Sequence, residues 1–196
     1  MIDNLLTDKE IKIERQKVLS YLGYKRGSIT PLIPSLDLLL SQAGTLLRPA
    51  TYCVVSEIVS VDQGGKVQFD NDIRLKAPIL KEKFNRGQKG LFFLATLGSG
   101  LETRVSGFLQ RGLCLEALLL DAAGWVSLQG LIRDLKKSLA SEGTLDFTLI
   151  PGLKGFPLEM QKEIFSLFSK KETGISLTEE CMMVPKKSLS GIMIFH

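Results

Sequence analysis

Residues Leu91 to Thr96 are a continuously apolar run bounded by glycines, Gly90 before it and Gly98 after it. A strand with one wet face alternates polar and apolar residues, whereas a strand without alternation is covered on both faces. The run therefore predicts a central strand, buried front and back. The rest of the chain has to supply its partners and its two covers.

Partners are legible on both sides of it. Thr51 to Val61 is rich in Val, Ile, Thr and Tyr, and Lys66 to Phe69 returns after the turn Asp62-Gln63-Gly64-Gly65. Together these predict an antiparallel hairpin. Asp146 to Ile150 reads as a further strand running into Pro151-Gly152, Ile175 to Leu177 as a short one, and Leu189 to Phe195 as the last. Asp8, Glu10, Ile11 and Ile13 alternate enough for a short strand or an edge turn.

Helical covers are interleaved. Glu14 to Leu22 has helical spacing closed by Gly23; 25–34, with two prolines, reads as a loop; Ser35 is a plausible N-cap for a helix through Leu47. Pro78 opens a short helix through Phe84, and Leu101 to Arg111 is a helix broken by Gly112. From Leu113 to Leu139 a long helix is expected, burying Leu115, Leu118, Leu119, Ala122, Ala123, Val126, Leu131, Ile132, Leu135 and Leu139. Asp121 falls within that apolar face, so it is read as a hydrogen-bonded structural carboxylate or as a ligand contact. Pro157 suits the first position of another helix, with Leu158, Gln161, Phe165 and Phe168 at helical spacing. Helices and hairpins mix without a βαβ rhythm. The expected class is α+β, a twisted, mainly antiparallel sheet with packed helices. At 196 residues, one domain (1–196) is expected, its first 48 residues a helical part packed on the core.

Several function classes are excluded early. The only histidine is His196, which removes Ser-His-Asp and Cys-His machinery and nearly every histidine-based metal site. No catalytic residue and no metal ligand set is assigned. Gly98-Ser99-Gly100 follows a strand and precedes a helix, but a dinucleotide fingerprint needs glycine where Thr103 stands, and the Lys of a P-loop is absent. A tight turn is the plainer reading; an anion at the helix N-terminus is the other. The net charge of +4 is spread along the chain without an aromatic-basic cluster, so nucleic acid is not an expected partner. Cys53, Cys114 and Cys181 fit neither a disulfide framework nor a metal motif, and Cys181 beside Met182-Met183 reads as a small core residue. Lys186-Lys187 reads as a solvated turn. No secretory signal is read at the N-terminus, and Leu113 to Val126 is too short to span a bilayer, so a cytoplasmic protein without a membrane partner is expected.

The last quarter holds the most distinctive local chemistry. In order it contains Pro151-Gly152, Pro157, Gln161, Leu177-Thr178-Glu179, Met183, Pro185 and Ser188-Leu189-Ser190-Gly191. In that order and spacing the block resembles the activation domain of cobalamin-dependent methionine synthase. Upstream, Lys17 to Tyr24, Leu94 to Gly98 and Leu118 to Gly124 are similar to free-standing versions of that domain. The resemblance implies the same twisted antiparallel sheet. It also implies a domain that binds S-adenosylmethionine and presents it to a corrinoid held on another protein, with a low-potential electron donor such as flavodoxin. Cobalamin would sit on that partner, either a corrinoid-binding protein or a methionine synthase lacking its own activation domain. The cofactors carry the chemistry, in accord with the missing nucleophiles.

Carried over residue by residue, the resemblance puts the ligand site at Thr148, Pro151, Gly152 and Leu153, with Thr178, Glu179, Ser188 and Ser190. Gly152 would admit close approach of a ligand to the backbone. Glu179 would suit an ammonium or sulfonium group, and Ser188 and Ser190 share one strand face, toward ligand or toward water. The family pattern Arg-x-x-Pro-Gly-Tyr has Thr148 and Leu153 here in place of its Arg and Tyr. A charge-assisted hydrogen bond contributes roughly 1.5–3 kcal/mol, so the change is expected to weaken S-adenosylmethionine binding by about one to two orders of magnitude. Two other readings stay open: a non-catalytic corrinoid-protein binding module that has lost the ligand, and a small-ligand binder of other specificity.

Overall fold

The computed structural model describes residues 2–3, 11–24, 33–139 and 143–195. In chain order the elements are β1 (Ile2–Asp3), α1 (Arg15–Tyr21), α2 (Ile33–Leu46), β2 (Ala50–Val61), β3 (Lys66–Phe69), β4 (Arg74–Lys76), α3 (Leu80–Lys83) and β5 (Lys89–Thr96). There follow α4 (Gly100–Gln110), α5 (Cys114–Ser138), β6 (Leu145–Leu149), α6 (Met160–Ser166), β7 (Ser176–Leu177), β8 (Met183–Val184) and β9 (Ser188–Phe195).

The apolar run is the middle of β5, and it lies where its composition demands. The sheet runs β4-β3-β2-β5-β9-β6, with β1 added to β2 and every neighbour antiparallel. β5 pairs along its whole length with β2, from Ala50 opposite Thr96 to Glu57 opposite Lys89. On its other edge it pairs with β9, from Lys89 opposite Phe195 to Thr96 opposite Ser188. Side chains alternate between faces, so β5 feeds two cores at once. Leu91, Phe93 and Ala95 join Met193 and Phe195 against α1, α2, α4 and α5. Phe92 and Leu94 join Ile192 and Ile194 against Phe69, Phe84, Phe156, Ile164 and Phe168. In that second core Phe69 meets Phe92 edge-on at 4.9 Å, and Phe84 meets Phe147 at 5.6 Å. β7 and β8 form a separate two-stranded hairpin.

The expected α+β class and its mainly antiparallel sheet are thus what the chain forms, with α5 packed on one face. Local departures have local causes. α2 begins at Ile33, ahead of Ser35, because a proline at position 34 is tolerated in the first turn of a helix. α6 begins at Met160, and Pro157 sits in the turn before it, its carbonyl accepting the Met160 N–H at 3.2 Å. β4 has too few residues to show a period and was not expected. Ile11 to Ile13 form no regular element, and residues 8–10 and 25–32 of the expected edge turn and loop lie outside the described residues.

The largest correction concerns α5. Leu119, Ala122, Ala123, Leu131, Ile132, Leu135 and Leu139 are buried as expected, but the stripe is shifted in the first turns: Leu115 and Leu118 are 40% and 51% exposed, while Ala117, Leu120, Gly124 and Leu128 are buried. Asp121 is accordingly on the surface. It pairs with Lys187 at 2.7 Å, and it is Lys187 whose side chain is mostly buried, only 12% exposed. The pair forms because Gly124 leaves room; a Cβ there would stand 3.0 Å from both Leu101 and the Lys187 stem. Lys187 is therefore not part of a solvated turn. α5 is long and apolar enough to cross a bilayer by length and composition, yet it is built into the fold, with just over half of that stretch (56%) buried.

The Gly98-Ser99-Gly100 turn is constrained by backbone on all sides. Gly98 has φ +74, and its N–H donates to Thr96 Oγ1 at 3.1 Å. A Cβ on Gly100 would lie 2.7 Å from the Leu46 carbonyl oxygen, a contact no side chain tolerates. Gly98→Ala and Gly100→Ala are each expected to destabilise by about 1 kcal/mol or more, read by thermal unfolding. Unchanged melting together with lost binding of a nucleotide would instead make the turn a ligand loop.

Candidate functional site

The residues singled out by the C-terminal motif converge where β6 leaves the sheet. After Leu149 the chain turns through Pro151-Gly152: the Leu153 N–H donates to the Ile150 carbonyl at 3.1 Å, and the Gly152 N–H to the Phe156 carbonyl at 2.8 Å. Gly152 takes φ +84, which explains a glycine there without a ligand. The turn delivers Phe156 into the core and starts α6, whose buried face includes Gln161 and Ile164.

Gln161 is the polar hub beneath the site. Its Oε1 accepts the Ser190 hydroxyl at 2.8 Å, and its Nε2 donates to the Cys181 carbonyl. One buried amide therefore ties α6 to β9 and to the β7–β8 hairpin. The hairpin loop is closed by its own bonds: Thr178 N–H to the Met182 carbonyl at 2.9 Å, and Met182 N–H to Thr178 Oγ1 at 3.2 Å. Thr178 also holds the exposed Glu180 carboxyl below the usual carboxylate range through a side-chain hydrogen bond. Beside this, Ser188 donates to Thr96 Oγ1 at 2.8 Å.

Over this bed lies a groove. A pocket of about 430 Å³ is bounded by Pro151 and Leu158 on one side, Thr178, Met182 and Val184 on another, and Gln161 and Ser188 beneath. Ile150 and Leu189 form its far rim and are shared with a second recess of about 450 Å³, lined by Trp125, Ile132 and Leu153 on the α5 side. A larger cavity of about 770 Å³ lies between the β2–β3 turn and α3 and contains none of the motif residues.

Of the predicted site residues, Pro151, Thr178 and Ser188 border the first pocket and Leu153 the second. The other four stand apart from both. Thr148 lies opposite Met193 on the α5 face of β6, its Oγ1 buried without a hydrogen-bond partner. Gly152 and Glu179 are exposed in their turns, and Ser190 is fully buried behind Gln161. Ser188 and Ser190 do share a face, but both are spent on internal hydrogen bonds. Leu158, Met182, Val184 and the α5 side chains were not anticipated. The structure marks two of them by exposure: Met182 and Val184 are 59% and 48% exposed, although apolar.

The groove has apolar walls, a hydroxyl and amide floor, and no bond-making group. Among the described residues no cluster of three metal-ligating side chains occurs. All three cysteines are free; burial pushes the Cys53 thiol up to about 12, and Cys181 is buried in the hairpin turn.

No family model matches the sequence, and neither does any curated protein. Among solved structures, a crystal structure of the MetH reactivation domain bound to AdoHcy superposes with a TM-score of 0.67 at 15% identity, over 90% of this chain and 69% of that one. The fold is that of the MetH reactivation domain. This agrees with the architecture expected from the C-terminal motif. Gln161 with Ser190, and Ser188 with Thr96, brace this fold from within.

Gln161→Leu should leave Ser190 Oγ and the Cys181 carbonyl unsatisfied and destabilise by about 2 kcal/mol or more, since each orphaned group costs roughly 1–3 kcal/mol. In a double-mutant cycle with Ser190→Ala, followed by denaturant unfolding, the two changes should be non-additive by at least about 0.5 kcal/mol. Additive losses would deny the bond its bracing role.

Proposed function

We propose that this chain is a reactivation-domain-like accessory, which holds S-adenosylmethionine or its product AdoHcy in the groove and serves a corrinoid bound to a separate protein. One observation carries the reading: the pocket over Gln161 is bordered by Pro151, Thr178 and Ser188, residues that the sequence motif picked out independently. The fold shared with a domain crystallised with AdoHcy supports it. The residues present fit such a ligand. Apolar walls suit the adenosyl body, and Thr178 and Lys186 supply polar edges. Nothing in the groove forms or breaks a bond, so its residues bind and orient, while the ligand supplies a methyl group and an electron donor such as flavodoxin supplies an electron. The free cysteines suit a reducing compartment such as the cytoplasm.

Calorimetric titration with AdoHcy tests the binding step. The protein should bind it, and Leu153→Glu, an exposed position at the rim, should weaken binding at least about ten-fold by replacing an apolar wall contact with a charge that the ligand would have to desolvate, without lowering the melting temperature. In a mixture of cob(II)alamin-loaded corrinoid protein, reduced flavodoxin and S-adenosylmethionine, addition of this chain should speed methylcobalamin formation, followed by visible absorbance. Absence of AdoHcy binding with retained binding to the corrinoid protein would favour a ligand-free binding module instead.

A further inference from the structure

The recess on the α5 side of the groove has a charge pattern that the pocket over Gln161 lacks. Trp125, Leu128, Ile132 and Lys136 recur every three or four residues, and Arg133, next to Ile132, lies three before Lys136, so all five border the recess from one side of α5. They form one wall; Leu153 and Leu189 form the other. The apolar part of the stripe leads to two cations one helical turn apart, and no acidic side chain borders the recess. The strand side brings no cation, because Ile150 and Leu189 occupy it. Among the described residues neither Arg133 nor Lys136 makes an ion pair. Glu14, which feels Arg133 from α1's side, is taken up by Lys17.

Two cations that make no ion pair among the described residues, closing an apolar trough, favour a ligand end with an apolar stem and a terminal acid. The half-buried Trp125 ring offers that stem an apolar surface, and the guanidinium offers a carboxylate two parallel donors. We propose that Arg133 and Lys136 bind the carboxylate of the groove's ligand, with its amino-acid stem lying against Trp125, Ile132 and Leu153 and its adenosyl body passing Ile150 and Leu189 into the pocket over Gln161. This rests on the AdoHcy-class reading above and gives that ligand an orientation: the amino-acid end toward the second half of α5.

The test uses AdoHcy and its decarboxylated analogue S-adenosyl-3-thiopropylamine, which keeps the ammonium group. Binding is followed by calorimetry and by the fluorescence of Trp125, the sole tryptophan. The unmodified protein should prefer AdoHcy by about ten-fold or more, equivalent to ~1.4 kcal/mol. R133Q/K136Q should bind AdoHcy no better than the analogue, with analogue affinity and melting temperature unchanged, while R133K/K136R should recover part of the preference. Both positions are solvent-accessible, so folding should be preserved. If R133Q/K136Q keeps the preference, or loses both compounds equally, the carboxylate is not held here, and the AdoHcy reading stands alone. Equal binding of both compounds by the unmodified protein likewise overturns this assignment only. Failure of the unmodified protein to bind either compound overturns both readings.

Discussion

The structure depends on one strand having no wet face. β5 places Leu91, Phe93 and Ala95 on one side and Phe92 and Leu94 on the other, all of them almost fully buried. Fully burying a large apolar side chain contributes about 1.5–3 kcal/mol, so the strand stabilises two layers at once and neither can be dispensed with. β2 and β9 then take both hydrogen-bonding edges of β5. The helices of the N-terminal third and α5 cover one face; α6 and the aromatic group around Phe69 cover the other.

The same strand explains where polar groups gather. Toward its end β5 gives way to Thr96, and β9 opposite it starts with Ser188 and Ser190 before turning apolar at Ile192. Buried hydroxyls need partners, and here they find Thr96 and Gln161. The groove lies above this polar seam, at the place where the two layers meet and where Ile150 and Leu189 separate its halves. The Asp121–Lys187 pair fastens α5 to the segment just before β9, so the helix that forms one wall of the groove is held to the strand that forms its floor.

Most strands were legible because period and composition are local properties. The central strand, its hairpin neighbour and the last strand declare themselves by unbroken apolar runs or by a Gly-Gly turn. The phase of the first turns of α5 did not, because leucines surround nearly the whole helix between Leu115 and Leu120, and only the small Ala122-Ala123-Gly124 patch fixes which side meets its neighbours. Asp121 was misplaced for the same reason. At the site, the order of Pro151, Thr178 and Ser188 was readable, and their convergence was a matter of resemblance. Gln161 meets Ser190 and Cys181 across long stretches of chain, so no spacing rule reports that contact. Nothing local relates Arg133 and Lys136 to Leu153, and that relation exists only once β6 has paired with β9.

Gln161 has a further consequence. The bed of the groove consists of an amide, serine and threonine hydroxyls, and backbone carbonyls. None of these gains or loses a proton anywhere in the range where proteins stay folded. The receptor's shape is therefore indifferent to acidity, unlike sites floored by histidine or paired carboxylates. Whatever acid–base dependence the protein's interactions show must enter from the rim or from the visiting molecule, and the two can be told apart by titrating the visitor in free solution.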